Sequence, residues 1–126
     1  MKRAEERKLI KKLERSADNL WRDKILEANN YKSEISDERA TQVHHIFPKS
    51  QNGHLRYCWE NGVALSKGEH FKHHHTYDPT IHGRIIKKRG IKWYNKLEKL
   101  SKLKPTSFKN LKWYQKQLEL VEKGIK

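Results

Sequence analysis

Residues 42–75, QVHHIFPKSQNGHLRYCWENGVALSKGEHFKHHH, leave little freedom in how the chain can fold locally. Thr41 to Phe47 reads as a short strand that ends at Pro48, a residue without the N–H a central strand needs. Ser50-Gln51-Asn52-Gly53 is turn chemistry. Gly62 to Leu65 is a second short apolar run, and Ser66 fits the N-cap of a helix starting at Lys67. The order is therefore strand, loop, strand, helix. Seven of the eight histidines fall in this stretch. Packing alone seldom asks for so many, because imidazole changes charge near neutral pH.

Helix geometry puts His70 and His74, four residues apart, on one face, with His73 beside it and His75 rotated away. Strand alternation sends His44 and His45 to opposite sides, so one of the two points toward that helix.

These residues resemble the HNH, or ββα-metal, endonucleases. The family's opening Asp/His-His pair falls on His44-His45, its central Asn on Asn61 and its helical His on His70, nine residues later. A further His four residues on, as in the colicin-type DNases, falls on His74. The phrase NGVALSKGEH is similar to the NGI-x-L-C-x-x-C-H phrase of many phage and restriction members. The resemblance implies that His44, His70 and His74 hold one divalent metal, that His45 is the general base and that Asn61 orients the loop. Such chemistry suits phosphodiester hydrolysis: a cation stabilises developing charge, and a neutral imidazole takes a proton from water near pH 7. The competing reading of the same four imidazoles is a structural zinc site, although a closed site has no use for the spare His45. His73 and His75 read as solvated or phosphate-touching. His54 and His82 read as surface residues, with His82 able to approach from the next element.

Many members of that family carry C-x-x-C before the first strand and again before the last His, forming a zinc ribbon. Here the matching positions are Ser33, Ser36, Ser66 and Glu69, so no structural zinc ribbon is expected and the serines read as solvated loop hydroxyls. The brace would instead be hydrophobic: Tyr31, Tyr57, Trp59 and Phe71 packed under an N-terminal helix. That helix spans residues 4–29, where Ile10, Leu13, Ala17, Leu20, Trp21, Ile25 and Ala28 recur at three- and four-residue steps. It ends at Asn29-Asn30. A coiled-coil dimer is the other use of such a stripe. The single Cys58, set among aromatics, reads as a buried thiol and suits a reducing interior.

Charge is uneven along the chain. The formal net charge is +14, and residues 76–126 carry 14 basic and 4 acidic side chains. Helices are expected over 81–89, 91–103 and 108–122. The last two echo each other as IKWYNKLEKL and LKWYQKQLEL, which reads as a helical hairpin with Trp93 and Trp113 inward. A basic surface of this size suits a polyanion. The candidate DNA contacts are Lys49, Arg56, Lys67, Lys72, Arg84, Lys87, Lys88 and Arg89. Arg56 is the one best shaped to grip phosphate bidentately, a salt bridge to Glu60 or Glu69 being its structural alternative.

The expected architecture is α+β and predominantly helical. An N-terminal helix and connecting loop (1–40) pack on a ββα-metal core (41–76), and a basic helical region (77–126) grips DNA, all in one compact domain. The expected function is that of a phage-type, stand-alone HNH endonuclease acting on DNA. It would nick one strand per site with Mg²⁺ or Mn²⁺, while Zn²⁺ or Ni²⁺ could occupy the site in vitro. The alternatives are a non-catalytic DNA-binding or recombination-junction protein and a metal-stabilised interaction module. The setting is expected to be intracellular, in bacterial cytoplasm, with no membrane partner and a monomeric or homodimeric state.

Overall fold

The apolar stripe of the N-terminal segment forms α1 (Arg3–Ala28) in a computed structural model that describes residues 2–75 and 79–124; the side chains of His74 and His75 also lie outside the described set. Ala17, Trp21, Ile25 and Leu26 are its buried residues. The helix ends where Asn30 and Tyr31 take positive φ values of 54° and 57°. Asparagine tolerates that region; the tyrosine adopts it only because its N–H still caps Leu26 O at 2.9 Å.

β1 (Gln42–His45) and β2 (Gly62–Leu65) pair antiparallel, with His44 opposite Val63 and His45 opposite Gly62. Two single-turn 3-10 segments, Gly53–Leu55 and Trp59–Asn61, interrupt the loop between them. α2 (Lys67–His75), α3 (Pro79–Arg89), α4 (Ile91–Lys102) and α5 (Leu111–Lys123) follow. Gly90 separates α3 from α4 with φ 96°, a conformation a side chain would strain. Among the described residues the protein is thus mostly helical around one two-stranded antiparallel sheet, which is the α+β class expected.

A two-stranded ribbon is too small to be stable alone, and here both its faces are covered. On one face Val43 and Ala64 join Trp21, Ile25, Tyr57, Tyr114 and Val121, from α1, the inter-strand loop and α5. On the other, Val63 and Leu65 join Ile46, Ile81 and Ile85, with Trp93 and Tyr94 of α4 at the margin. α5 lies against α1, and α4 against α3. The two C-terminal helices therefore serve opposite cores instead of packing on each other as the expected hairpin.

Two members of the expected aromatic brace are elsewhere. Tyr57 is buried and Trp59 packs against the α1 core, but Tyr31 is 49% exposed and Phe71 56% exposed. The positive-φ turn throws Tyr31 outward. Phe71 lies on the side of α2 away from Glu69, the buried residue of that turn. No helix among the described residues is long and apolar enough to cross a membrane.

Candidate active site

His44 and His45 leave β1 in opposite directions. His44 is 4% exposed and faces α2, its ring centroid 5.4 Å from that of His70 and 4.5 Å from that of His73, edge-on to both. Three imidazoles around one tetrahedral ion would have centroids roughly 5 Å apart, given metal–nitrogen bonds of about 2 Å. The donor type and the His44–His70 spacing therefore suit a divalent cation. Among the described residues, however, no three His, Cys, Asp or Glu side chains are arranged as a group that could hold a metal ion. The expected third donor, His74, has its side chain outside those residues.

His73, expected to be solvated or phosphate-touching, is half-buried against His44 and also meets His82 of α3 at 5.7 Å. His82 in turn packs edge-on to Tyr94, and burial lowers its pKa below the ordinary 6.5. Among the described residues its buried Nε2 meets no hydrogen-bond partner. Of the two readings of His82, the surface one is corrected and the approach from the next element is the one seen, because α3 folds back over α2 and brings it inward. His54, also expected on the surface, is half-buried with Nε2 2.9 Å from Leu100 O.

His45 points the other way. Its Nε2 lies 2.9 Å from Arg56 O. A carbonyl can only accept, so Nε2 carries the proton and Nδ1 of the neutral ring keeps its lone pair. The ring stacks on Trp21, centroids 4.4 Å apart and planes 19° from parallel. Burial lowers the His45 pKa below 6.5, with Lys49 and Arg56 adding to the effect against the Arg56 carbonyl and Asp18. At pH 7 the ring is neutral and able to accept a proton. His44, His45 and His70 line one cleft of about 350 Å³ with Lys49 and Ser50 at its rim.

Asn61 is wholly buried and fully bonded. Its Nδ2 donates to Phe47 O and Leu55 O, each at 3.1 Å, and its Oδ1 accepts from Phe47 N–H at 2.8 Å. One amide side chain thereby ties both arms of the loop between the strands.

The basic residues divide into pinned and exposed. Arg56 forks onto Asp18 of α1 at 2.8 and 2.6 Å, with Glu14 at 3.5 Å. Neither a free phosphate grip nor a bridge to Glu60 or Glu69 is what it makes. The expectation lacked the partner because Asp18 is 38 residues away and is brought in only by the packing of α1. Arg89 is likewise no surface grip: it holds both oxygens of Glu34, donates to Glu60 O at 2.9 Å and Gly62 O at 2.7 Å, and lies over Trp93. Arg84 is exposed but donates to Ile35 O. With Lys32, Lys87 and Lys88 it surrounds an open cavity of about 800 Å³ beside the loop 33–37. Lys49, Lys67 and Lys72 are exposed.

The four positions matching the zinc-ribbon cysteines converge. Ser33, Ser66 and Glu69 are 7%, 6% and 5% exposed. Ser33 Oγ donates to Glu69 Oε1 at 2.6 Å, Ser66 N–H to the same oxygen at 2.8 Å, and Glu69 N–H returns to Ser66 Oγ at 3.1 Å. The last two bonds are a capping box, legible in the sequence as S-x-x-E. Burial alone would raise the Glu69 pKa, but hydrogen bonds from Ser33, the Ser66 backbone, Ser36 and Ser66 Oγ outweigh it and hold the carboxyl below 4.5. Ser66 Oγ also donates to Glu38 Oε2 at 2.9 Å. The hydroxyls expected in solvent thus form a polar knot, mostly buried, joining the loop 33–38 to the start of α2. No family, curated protein or solved structure among those compared with the chain matches it.

Proposed function

We propose that the protein is a metal-dependent DNA endonuclease of the HNH kind. The observation that carries the reading is the divergence of His44 and His45 from one strand. His44 goes to the imidazoles of α2, and His45 to a carbonyl that dictates its tautomer. His44, His70 and His74 would hold one divalent cation, Mg²⁺ or Mn²⁺, with His73 the described neighbour able to replace His74. A bound cation would supply charge for the phosphate and the leaving oxygen. His45 accepts the proton of the attacking water at Nδ1, and burial keeps its ring neutral for that task. Asn61 holds the loop that carries Lys49 and the Arg56 carbonyl. Lys49, Lys67, Lys72, Arg84, Lys87 and Lys88 offer the exposed charge for the sugar–phosphate backbone.

Relaxation of supercoiled plasmid tests the proposal. The wild type nicks in Mg²⁺ or Mn²⁺ and stops in EDTA, and His45→Ala loses activity by at least about a hundredfold. Undiminished nicking by His45→Ala refutes the mechanism. The alternative is a DNA-binding protein that keeps this arrangement without turnover. It predicts plasmid retention in a gel shift with no nicking in any divalent metal.

A further inference from the structure

We propose that Trp21 is a positioning residue for His45, and that α1 as a whole clamps this imidazole into one plane and one tautomer. The inference rests on the reading of His45 as the base. It begins at Gly62, the cross-strand partner of His45. Side chains of paired residues share a face of the sheet, and here one of the two is missing. A Cβ at Gly62 would stand 2.6 Å from Trp21 Cζ2 and would also collide with Ile25 Cδ1. The bare backbone is the notch through which the indole reaches the ring of its neighbour and stacks at 4.4 Å.

The indole cannot slide. It is 3% exposed, and Nε1–H donates to Cys58 O at 3.2 Å. Stacking fixes the plane of the imidazole but leaves it free to turn within that plane. The in-plane angle is set by the bond from Nε2–H to Arg56 O. Arg56 is itself held by Asp18, three residues before Trp21 and hence on the same side of α1. One helix therefore supplies both constraints, and Nδ1 is left as the ring's acceptor. Packing of α1 alone would already need the glycine, since Ile25 Cδ1 crowds it as well, but a Trp that served only as core filler would not need the near-parallel stack.

The test uses the full chain in Mg²⁺ at pH 7.5. Trp21→Leu keeps apolar bulk and removes the aromatic face, Trp21→Phe restores a face, and Asp18→Asn loosens Arg56 without touching the core. Three quantities are read: the melting temperature, kcat and KM for plasmid nicking, and the His45 tautomer from long-range ¹H–¹⁵N NMR. In wild type His45 is a single Nε2–H tautomer. Trp21→Leu and Asp18→Asn mix the tautomers and lower kcat about tenfold or more with KM within twofold, as misorientation of a reacting group does. Trp21→Phe recovers most of the rate. Folded Trp21→Leu and Asp18→Asn proteins that keep one tautomer and wild-type kcat overturn the proposal. Asp18→Asn decides alone should Trp21→Leu fail to fold. Wild type that does not nick at all refutes the nuclease reading instead, while the tautomer measurement still decides the clamp.

Discussion

Replacing Glu69 by alanine removes the centre of the polar knot. Oε1 accepts from Ser33 Oγ–H at 2.6 Å and Ser66 N–H at 2.8 Å, and all three residues are buried. A hydrogen bond to a charged group contributes about 1.5–3 kcal/mol, and an orphaned buried donor adds its desolvation cost. Water entering the vacated space recovers part of this, so a net loss of roughly 3 kcal/mol is expected. For a chain of this length, each kcal/mol moves the melting temperature by about 3–5 °C. Thermal unfolding followed by circular dichroism at pH 7 should therefore show a drop of roughly 10–15 °C. The pH dependence has a definite sign. The folded pKa of Glu69 lies below its ordinary 4.5, so its contribution is fully present above pH 4.5 and fades as pH falls through the lowered value. The gap between wild type and Glu69→Ala should narrow there, and Glu69→Gln should fall between the two at neutral pH. Wild type should keep its helicity in EDTA, because hydrogen-bonded side chains make this brace. A Glu69→Ala melting temperature within about 2 °C of wild type refutes this account of the brace, as does unfolding of wild type by chelator alone.

Burial lowers the His45 pKa, so the acid limb of kcat/KM should have its midpoint below 6.5; a midpoint above 6.5 contradicts the neutral, buried base. The same shift means that native stability from His45 is complete above pH 6.5 and declines as pH drops through the folded value. Gly62→Ala drives a methyl against Trp21 and should cost about 1–3 kcal/mol in urea titration. The pinned and exposed cations should separate cleanly. Arg89→Ala, which strands Glu34, should destabilise by about 3–5 kcal/mol in the same titration. The Lys87→Gln/Lys88→Gln double variant should leave the melting temperature unchanged. It should also flatten the salt dependence of DNA binding, by about one unit of log–log slope for each phosphate no longer neutralised.

The order strand, loop, strand, helix was legible because its signals are local: Pro48, the Asn52-Gly53 turn, and Ser66 before Lys67 each act on neighbouring residues. The same holds for α1, whose stripe repeats over 26 residues. The divergence of His44 and His45 follows from strand alternation alone. Partner choice was not legible. Nothing near Arg56 announces Asp18, and nothing near Arg89 announces Glu34, because those pairs exist only once α1 and α3 have docked on the loops that carry Arg56 and Glu34. Ser33 looks like a loop hydroxyl by composition and becomes buried only when Glu69 arrives from α2. Trp21 was visible as an apolar residue of α1, yet its stack on His45 depends on the missing side chain at Gly62. The nearest sequence signal was that glycine, standing where a strand would ordinarily carry a β-branched residue.

The two-faced ribbon has a consequence for how the chain avoids misfolding. With successive residues assigned to opposite compartments, a slip of a single position along β1 would trade His44 for His45: one imidazole would be pressed under the indole, the other thrust among the rings of α2. Composition would be unchanged and the chemistry inverted. Because Gly62 admits the tryptophan at one rung only, and Asn61 fastens Phe47 just beyond that rung, the correct alignment is checked twice at one end of the ribbon before either histidine has anything to act upon.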